Sequence, residues 1–599
     1  MTKATLELFA PPRIRAERRP DGSVLLSSEA ALGPYARSMA HLVRDGAERH
    51  PDRVLAAERS GDAWSTLTWE DARLAADAIA QALLDQHLGA SRPLLVLSGN
   101  SLAHLLMTLG AFTAGVPVLP ISVAYSLMSR DHARVRAIVD QCAPGMVFAD
   151  DAERFAPALD AIREAVPVQA IVRGDRDDTL RFDAVRATTP TVAVEDAFAR
   201  LGPDTVAKVL FTSGSTGPPK GVLTTHGMLC SNQQALGEVW PFMRAEPPVT
   251  VDWLPWSHVF GGNHNLGQIL AFGGTLYIDD GKPVPQLFER TVRALSEVRP
   301  TIYYNVPAGW ALLTPRLEAD AEFAQAFFSR LRFMFYAAAA LPEALWHRLR
   351  AVAAAVADHD VPLTASWGMT ETAPGATTAH FAAAQCGCIG VPLPGVKLKL
   401  APYGTKLEIR LKGPNVTPGY HGDPGATAAA FDEEGFYRTG DAVLLVDEDD
   451  PNLGLMFDGR LAENFKLTTG TWVTVGKLRT ALVSAVGVLT DAVIAGHNQD
   501  YVAALAWVDA EAAASRCPGG APALRAHVAG ALAELNRGAG SAARIKHLLV
   551  LDEPPSIDAG EITDKGYINQ RAVLERRAQD VAQLFADPVH DTVITPAQP

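Results

Sequence analysis

Short apolar runs alternate with longer amphipathic segments over the first two thirds of this 599-residue chain. Residues 93–98 form one such run, with the length of a buried strand, while residues 37–47 and 70–88 repeat apolar side chains at helical spacing. Further runs that we interpret as strands lie near residues 145–149, 168–172, 249–254, 274–278, 301–305, 332–336 and 362–366. Continuous apolar strands separated by helices are typical of a parallel sheet covered on both faces, so the pattern predicts a large α/β domain.

The pattern changes after Cys386. Residues 396–400 and 406–411 alternate strictly between apolar and polar side chains, with a Pro/Gly turn between them. This alternation predicts antiparallel pairing in a β-rich subdomain. Beyond Arg460 the sequence predicts a hairpin near 465–475, followed by alternating helices and strands of a small α+β unit.

The expected fold class is therefore α/β, with a large N-terminal domain of parallel-rich βα sheets plus a β-rich subdomain. A small α+β C-terminal domain follows it. We place the large domain at residues 37–459 and the small one at residues 460–599. Residues 1–36 are mixed in character and rich in Arg and Pro, and we interpret them as an irregular N-terminal arm.

Composition and charge narrow the function classes. Hydrophobic residues make up 48% of the chain and charged residues 20%, which is ordinary for a globular protein. The formal net charge of −14 argues against a nucleic-acid binder, which usually has a basic face, but leaves anionic substrates open. No run approaches the roughly 18 apolar residues of a membrane span. The five cysteines are too few for a disulfide framework, and we expect free thiols in a reducing cytoplasm.

A glycine-rich stretch at residues 211–222 follows an apolar strand and precedes a segment that we expect to open a helix near His226. Glycines let backbone N–H groups approach an anion, and hydroxyl and ammonium groups add donors. Lys220 lies between Pro219 and Gly221, so the stretch is not a Walker A loop. A flexible surface turn is the alternative. The candidate phosphate ligands are Thr212, Ser213, Gly214, Ser215, Thr216, Gly217 and Lys220.

Thr370 and Glu371 follow the apolar run near 362–366. The carboxyl ends of strands form the edge where open α/β sheets bind ligands, and a single carboxylate there can hold Mg²⁺ together with phosphates. The alternative is structural, with Thr370 capping a helix whose first turn favours the charge of Glu371.

Two further positions remain open on the residues alone. Asp441 ends a Thr-Gly-Asp sequence that either forms a plain β-turn or presents a carboxylate to the hydroxyls of a sugar. His258 lies three residues before the pair Gly261-Gly262, and a lone histidine is more often structural than functional.

Taken together, these strings resemble the acyl-adenylate-forming superfamily, which includes acyl- and aryl-CoA synthetases, luciferases and peptide-synthetase adenylation domains. The resemblance covers the chain from about residue 38 to its end, with the motifs in the family's order. The strings that carry it are Phe211-Thr-Ser-Gly-Ser-Thr-Gly-Pro-Pro-Lys-Gly-Val222, Asp252-Trp-Leu-Pro-Trp-Ser-His-Val-Phe-Gly-Gly262, Ser366-Trp-Gly-Met-Thr-Glu-Thr372 and Tyr437-Arg-Thr-Gly-Asp441.

The resemblance implies an ATP site in three parts. The loop at 211–222 holds phosphates with Lys220 as a clamp, while Thr370 contacts phosphate and Glu371 binds Mg²⁺, with Thr216 as the other candidate ligand. Asp441 and Arg460 bind the ribose. Trp367 replaces the family's tyrosine and offers a flat face to the adenine, near Gly368, Ala338 and Ala339. Alanines stand where the family's adenine segment has glycines, which predicts a less close backbone approach.

By the same resemblance, the acid pocket is lined by residues His258, Val259, Asn305, Val306, Pro307, Ala338, Ala339 and Gly368. Lys565 is the candidate adenylation lysine, although the family's Gly-Lys string is absent because Glu561 follows Gly560. Ala462 stands where the family's hinge has Asp or Lys. Lys466 and Gly470 lie in a hairpin that approaches coenzyme A once the mobile small domain has turned.

The implied function is an ATP-dependent carboxylate–CoA ligase that forms an acyl-AMP and then an acyl-CoA. Residues 462–473 and 562–571 look most like feruloyl-CoA synthetases, which implies a hydroxycinnamic acid such as ferulate. Medium- or long-chain fatty acids are the rival substrates. An adenylation enzyme that loads a carrier protein, or a homologue that only binds nucleotide or acyl groups, remains an alternative.

Overall fold

The computed structural model describes residues 8–212, 219–383, 385–563 and 568–597. The strands, in chain order, are β1 (Ile14–Arg18), β2 (Val24–Ser28), β3 (Val54–Ser60), β4 (Ala63–Thr68), β5 (Leu94–Leu97), β6 (Val118–Ile121), β7 (Met146–Ala149), β8 (Gln169–Val172), β9 (Leu180–Arg181), β10 (Val206–Thr212), β11 (Lys220–Thr225), β12 (Val249–Asp252), β13 (Thr275–Ile278), β14 (Ile302–Asn305), β15 (Phe333–Tyr336), β16 (Leu363–Gly368), β17 (Gly375–Thr378), β18 (Cys388–Pro392), β19 (Lys397–Tyr403), β20 (Lys406–Lys412), β21 (Tyr437–Leu445), β22 (Leu455–Arg460), β23 (Phe465–Lys466), β24 (Trp472–Val473), β25 (Leu489–Ala495), β26 (Val502–Val508) and β27 (Ile545–Val550).

Helices alternate with these strands. The α-helices are α1 (Met39–Arg49), α2 (Trp69–Asp85), α3 (Leu102–Ala114), α4 (Ala133–Cys142), α5 (Ala156–Ala165), α6 (Phe182–Arg186), α7 (Val192–Arg200), α8 (His226–Val239), α9 (Phe242–Ala245), α10 (Leu266–Phe272), α11 (Pro285–Val298), α12 (Pro307–Ala319), α13 (Ala321–Phe328), α14 (Glu343–Val356), α15 (Pro424–Ala429), α16 (Val475–Val486), α17 (Ala510–Arg516), α18 (Gly520–Leu535), α19 (Gln570–Arg576) and α20 (Ala578–Leu584). The remaining helical turns are two π-helices, Ala124–Met128 and Phe260–Asn265, and two 3₁₀ turns, Thr370–Thr372 and Pro451–Leu453.

The described residues fall into two compact units. The larger unit takes in residues 8–212, 219–439 and 444–457, and the smaller unit takes in residues 440–443 and 458–597. Three sheets are built mainly from the larger unit. The α/β fold class with a large and a small domain is confirmed.

Parallel strands dominate two of these sheets, as the continuous apolar runs predicted. In the part of the chain described, one sheet has the order β11-β10-β6-β5-β7-β8-β9, and it is parallel except for the β10–β11 hairpin. A smaller sheet has the order β12-β13-β3-β4, with β4 antiparallel. The strands β5, β6 and β7 are buried along their whole length, because helices cover both faces.

The third sheet has the order β1-β2-β19-β20-β21-β22-β18-β17-β16-β15-β14 among the described residues. Strands β14, β15 and β16 are parallel to one another, so their carboxyl ends meet at one edge. The remainder contains the predicted antiparallel pair, β19 with β20. This sheet therefore joins the parallel-rich and β-rich regions that the hydrophobic pattern separates.

Local sequence signals account for several helix starts. Thr68 caps α2 by accepting a hydrogen bond from the backbone N–H of Asp71, and Ser101 caps α3 in the same way. Helices α2 and α3 pack closely because Gly110 faces Ile79, whose Cγ2 would lie 2.4 Å from a Cβ at that glycine. Among the described residues, no helix combines the length and apolar character that crossing a bilayer needs.

The smaller unit has its own sheet, with the order β25-β26-β27 among its described strands, and the short hairpin β23–β24. Strand β26 is buried over six of its seven residues. Its alternate side chains supply two hydrophobic clusters, one on each face, exemplified by Ala504 and Leu505. The hairpin, the helix from Val475 and the strands expected in this region are all present.

Three segments differ from the expectations. Residues 14–28 were expected to be irregular but form the hairpin β1–β2, which pairs through β2 with β19. The phosphate stretch was expected to lead directly into a helix, but β11 returns antiparallel to β10 before α8 begins at His226. Residues 509–520, which carried no clear signal, contain α17.

Candidate active site

Residues from three parallel strands meet at the carboxyl edge of β14, β15 and β16. Strand β14 ends at Asn305, β15 leads into Ala338 and Ala339, and β16 ends at Gly368, just before Glu371. The structure thus brings together, at one sheet edge, residues predicted from separate motifs. This edge is where open α/β sheets usually bind ligands.

The turn that carries Glu371 is tightly fixed. The hydroxyl of Thr372 accepts a hydrogen bond from the backbone N–H of Met369 at 2.9 Å. The side chain of Asn415 donates to the carbonyls of Thr372 and Gly375, at 3.1 and 2.9 Å. Thr370 and Glu371 are both buried, at 6% exposure. Because its backbone is held from both sides, the Glu371 carboxylate has a defined position.

A tyrosine hydroxyl contacts this carboxylate, and a second tyrosine and a lysine contact the first tyrosine. The hydroxyl of Tyr420 donates to Oε1 of Glu371 at 3.1 Å and lies 2.8 Å from the hydroxyl of Tyr437. Lys220 holds its Nζ 5.4 Å from the centre of the Tyr420 ring. Burial, and then the nearby charge of Glu371, raises the pKa of both tyrosines well above the usual value, so each hydroxyl keeps its proton.

Strand β11 brings Lys220 to this cluster. Residues 417–421 run beside β11, with Leu223 donating to the carbonyl of Gly419 at 3.1 Å and His421 donating to that of Gly221 at 2.7 Å. The backbone N–H of Thr417 donates to the carbonyl of Glu371 at 2.8 Å. The segment 417–421 therefore links the lysine strand to the glutamate turn.

The oxygen chemistry of this cluster fits a hard cation such as Mg²⁺. Glu371 presents an acceptor carboxylate, and Mg²⁺ is commonly held by one or two carboxylates together with substrate phosphates. Across the described ranges, no group of three or more His, Cys, Asp or Glu side chains could hold a metal ion. Thr216, the other predicted ligand, lies outside the described residues.

Ala338 adopts a backbone conformation that favours glycine. Its φ angle is +76°, in the left-handed region where a Cβ crowds the carbonyl oxygen. Ala338 and Ala339 are both exposed beyond the end of β15. The alanine-for-glycine difference noted in the sequence thus carries backbone strain at one of the two positions.

His258 is half-buried and lies two residues before the start of the π-helix Phe260–Asn265. Its carbonyl accepts a hydrogen bond from the backbone N–H of Gly262 at 2.8 Å. A Cβ at Gly261 would lie 2.2 Å from the carbonyl oxygen of Leu254, so this glycine has a packing role. π-Helical turns occur often at functional sites, which keeps the predicted role of His258 open.

The other residues predicted to line the acid pocket are placed as follows. Asn305 is buried, and its amide accepts from the Trp253 indole at 3.2 Å and donates to the Tyr303 hydroxyl at 3.2 Å. Val306 is half-buried and precedes α12, whose first residue, Pro307, is buried. The three positions at this strand end are therefore buried or half-buried.

Three more residues predicted to contact the adenine or the acid differ in exposure. The indole of Trp367 is mostly buried, at 9% exposure, whereas Gly368 beside it is exposed. Val259 is buried at 7%. A Cβ at Gly368 would lie 1.8 Å from the carbonyl oxygen of Pro374, so only glycine fits this strand end.

A buried polar network beneath the π-helix was not predicted from sequence. Burial raises the pKa of Asp252 to about 7, and Asn265 donates to its Oδ2 at 3.1 Å. Burial also lowers the pKa of His264 to about 4 and that of Lys208 to about 7. The one available signal was Lys208 itself, a lone charge inside the apolar run of β10.

In the smaller unit, two predicted ribose ligands lie together. Nε of Arg460 is 3.8 Å from Oδ1 of Asp441. In the hairpin, Nζ of Lys466 lies 5.0 Å from the centre of the Trp472 ring. Gly470 has a φ angle of +81°, as its predicted position at the tight point of the turn requires.

Several predicted residues, namely Ser213, Gly214, Ser215, Thr216, Gly217 and Lys565, lie outside the described residues. Thr212, which ends β10, pairs in register with Lys220. Near the lysine segment, Glu561 is buried and accepts a hydrogen bond from Nε of Arg577 at 2.7 Å. The residue in place of the family's lysine is therefore an internal ion-pair partner.

Two family models match this chain. The model of the AMP-binding enzyme matches residues 43–421, and the model of the AMP-binding enzyme C-terminal domain matches residues 464–588. The first match alone covers more than half of the chain.

Individual proteins resemble the chain over most of its length. A Mycobacterium tuberculosis protein named as a fatty-acid–CoA ligase is 26% identical over 465 residues, covering 67% of this chain and 77% of that protein. Benzoate–CoA ligase of Thauera aromatica is 27% identical over 406 residues, covering 66% and 71%. The adenylation domain of a carboxylate reductase from Mycobacterium chelonae superposes with a TM-score of 0.73 at 20% identity, covering 98% and 95%, a likeness of fold.

Proposed function

The chain belongs to the AMP-binding enzyme family, as an AMP-forming acid–CoA ligase, and we propose that its acid substrate is a hydroxycinnamic acid such as ferulate. The products are then AMP, pyrophosphate and the corresponding acyl-CoA. The relatives are named for different acid classes, so the choice of a hydroxycinnamic acid rests on the chain's own sequence.

The observation that carries the proposed reaction is the cluster of Glu371, which follows β16, with Tyr420 and Lys220. Tyr420 donates its hydroxyl to the carboxylate, and its ring centre lies 5.4 Å from the lysine ammonium. Such a pair suits a polyphosphate, because the ammonium attracts the phosphate oxygens and the carboxylate takes up the counter-cation.

The first half-reaction joins two anions. An oxygen of the substrate carboxylate attacks the α-phosphorus of ATP, the bond to the bridging oxygen breaks, and pyrophosphate leaves. Lys220 places positive charge beside the leaving phosphates, and Lys565 stabilises the charge at the reacting carboxylate. Mg²⁺, when bound, would neutralise phosphate charge next to Glu371.

The second half-reaction needs no nucleophile from the protein. The thiol of coenzyme A attacks the acyl carbon of the acyl-adenylate and AMP leaves with the bonding electrons. Lys466 and the tight turn at Gly470 would contact coenzyme A in this step, after Lys565 has withdrawn from the anhydride. Closing one face of the site at a time would keep water from the reactive anhydride.

Two strings support the hydroxycinnamate assignment. Residues 462–473, which include the β23–β24 hairpin, and residues 562–571 resemble feruloyl-CoA synthetases. The similarity to benzoate–CoA ligase also favours an aromatic acid. The similarity to the protein named as a fatty-acid–CoA ligase favours an aliphatic acid, which is therefore the second candidate.

An acid panel tests the proposal. The protein is incubated with ATP, Mg²⁺ and coenzyme A, and with ferulate, p-coumarate, caffeate, benzoate, octanoate or palmitate. AMP formation and the mass of the acyl-CoA are measured. We expect the highest kcat/KM with the hydroxycinnamates. A preference for octanoate or palmitate would contradict the substrate assignment, and acyl-AMP without acyl-CoA would indicate transfer to a carrier protein instead.

A further inference from the structure

Lys208 is a buried charge within an otherwise apolar strand. It lies in the middle of β10, where it is 3% exposed, and it pairs in register with Val118 of β6. Lysine is almost never buried to this degree without a partner, because its ammonium loses hydration. The contacts of its ammonium group therefore need an explanation.

Both hydrogen bonds found for this ammonium end on the π-helix Phe260–Asn265. Nζ of Lys208 donates to the carbonyl of Gly262 at 2.8 Å and to Oδ1 of Asn263 at 3.0 Å. The carbonyl of Asn263 in turn accepts from Nε2 of Gln233 at 2.9 Å. Residues of β10 and α8 thus hold two consecutive residues of the π-helix.

The same π-helix is bonded to the backbone of His258. Gly262 donates its N–H to the carbonyl of His258 at 2.8 Å, while its own carbonyl accepts from Lys208. A Cβ at Gly262 would lie 2.2 Å from the carbonyl oxygen of Trp256, so its backbone is packed directly on the segment before His258. Two hydrogen bonds therefore connect the Lys208 ammonium with His258.

The partners of Lys208 indicate a geometric role. Both are neutral oxygens, which orient an ammonium without cancelling its charge, and burial lowers the pKa of the group to about 7. An apolar side chain of the same length would fill the volume without that cost. The distinct contribution of the lysine is the pair of hydrogen bonds to the π-helix.

We propose that Lys208 is a positioning residue that holds the π-helix and, through Gly262, the backbone of His258 in the shape that the acid pocket requires. This rests on the proposed function and on the sequence resemblance, which implies that His258 and Val259 line that pocket. Lys208 does not touch the acid in this account, and it acts on acid binding through the segment that does.

Lys208→Met tests this, since methionine keeps most of the length and removes the donor. Hydrogen–deuterium exchange of peptides covering 258–265 is expected to quicken, with an increase of about tenfold in the KM for the acid and a smaller change in the KM for ATP, as the loss of one or two hydrogen bonds predicts. Lys208→Gln keeps an N–H donor on a shorter side chain and is expected to give intermediate values.

Lys399→Met is the matched control. Lys399, on β19, is also a buried lysine, at 7% exposure, but its ammonium pairs with the carboxylate of Asp432 at 3.2 Å. Strand β19 belongs to a different sheet from β10, which carries Lys208. Its loss is expected to lower thermal stability while the exchange of 258–265 and the KM for the acid stay as in the unmodified protein. The control thus separates a general loss of thermal stability, expected in both variants, from the specific effect on residues 258–265, expected only for Lys208.

Unchanged exchange over 258–265 in both Lys208 variants would overturn the proposal whatever the substrate is. Faster exchange with an unchanged KM for the acid would overturn the link to the pocket while leaving the ligase function intact. An unmodified protein that forms no AMP with any acid would contradict the proposed function instead. Quickened exchange together with a raised KM in Lys208→Met, absent from Lys399→Met, would support the proposal.

Discussion

Two polar regions of the larger unit use charge in opposite ways. Near Glu371, Tyr420 donates its hydroxyl to the carboxylate, and Lys220, which is exposed, lies beside the Tyr420 ring. Around Lys208, every contact is internal, and the ammonium ends on two neutral oxygens. In the first region an exposed ammonium is available to a ligand, whereas in the second the ammonium donates to oxygens of the protein itself. We infer that the first region supplies chemistry and the second supplies shape.

Glu371→Gln is expected to have the largest effect. It removes the charge that would hold the counter-cation of the phosphates while keeping the side-chain volume, so acid-dependent AMP formation should fall by about 10²–10³-fold. The measurement is single-turnover AMP formation at saturating ATP and Mg²⁺. AMP formation within a factor of about three of the unmodified rate would contradict the assignment of chemistry to this region.

Lys208, in the buried region, should instead affect how the free energy of unfolding depends on pH. The pKa of Lys208 is about 7 in the folded protein and about 10.4 in an unfolded chain, so between these values the unfolded chain binds more protons. Its contribution to the free energy of unfolding therefore increases as pH rises, by about 1.4 kcal/mol per pH unit well above pH 7. Lys208→Met lacks this pH-dependent contribution, because methionine does not titrate.

We therefore expect the unmodified protein to gain thermal stability relative to Lys208→Met between pH 7 and pH 9. Thermal unfolding at intervals of half a pH unit measures this. His104 and His226 do not account for such a difference, because burial lowers their pKa values to about 4 and about 3. Parallel stability profiles for the two proteins would show that the Lys208 ammonium is not held as the structure describes.

Tyr420→Phe sharpens the account of the open region. The change removes the hydroxyl that donates to Glu371 but keeps the ring beside Lys220, so one hydrogen bond worth about 1 kcal/mol is lost. The Mg²⁺ concentration for half-maximal AMP formation should rise by about fivefold. Tyr403→Phe, at a tyrosine that is 51% exposed, serves as the control and should leave it unchanged. If this Mg²⁺ concentration is the same in both variants, the Tyr420 hydroxyl does not support the function of the Glu371 carboxylate.

Ala338→Gly is expected to have the smallest effect, and in the stabilising direction. Glycine relieves the positive φ angle at this position, for a gain of about 0.5–1 kcal/mol after its greater freedom in the unfolded chain is counted. Ala339→Gly, in the same exposed segment, should destabilise slightly. Urea midpoints compare the two variants. If both lose stability, Ala338 is not strained in the folded protein.

The sequence predicted the fold well where apolar residues run continuously. Strands β5, β7 and β14 to β16 are buried on both faces, so their pattern needs no partner to be recognised. Strand β1 was missed because only Ile14 of its five residues is buried. Strand β11 was missed because it begins within the Gly- and Pro-rich stretch, where the sequence predicts a loop.

The site residues divide in the same way. Glu371, Lys220 and Asp441 became candidates from the sequence because they lie in strings that resemble a known family. Tyr420 was missed because its role depends on residues 417–421 running beside β11, a pairing between segments about 200 residues apart. Lys208 was missed because its partners lie on a π-helix that periodicity does not reveal. Supporting residues thus become visible only in three dimensions.

Exchange of labelled pyrophosphate into ATP, measured without coenzyme A, tests the central claim most directly. It reports reversible formation of the acyl-adenylate and depends neither on the final acceptor nor on product release. We predict exchange that requires an acid and Mg²⁺, is fastest with a hydroxycinnamic acid and is nearly lost in Glu371→Gln. A folded protein that catalyses no acid-dependent exchange, or an unchanged rate in Glu371→Gln, would contradict the account.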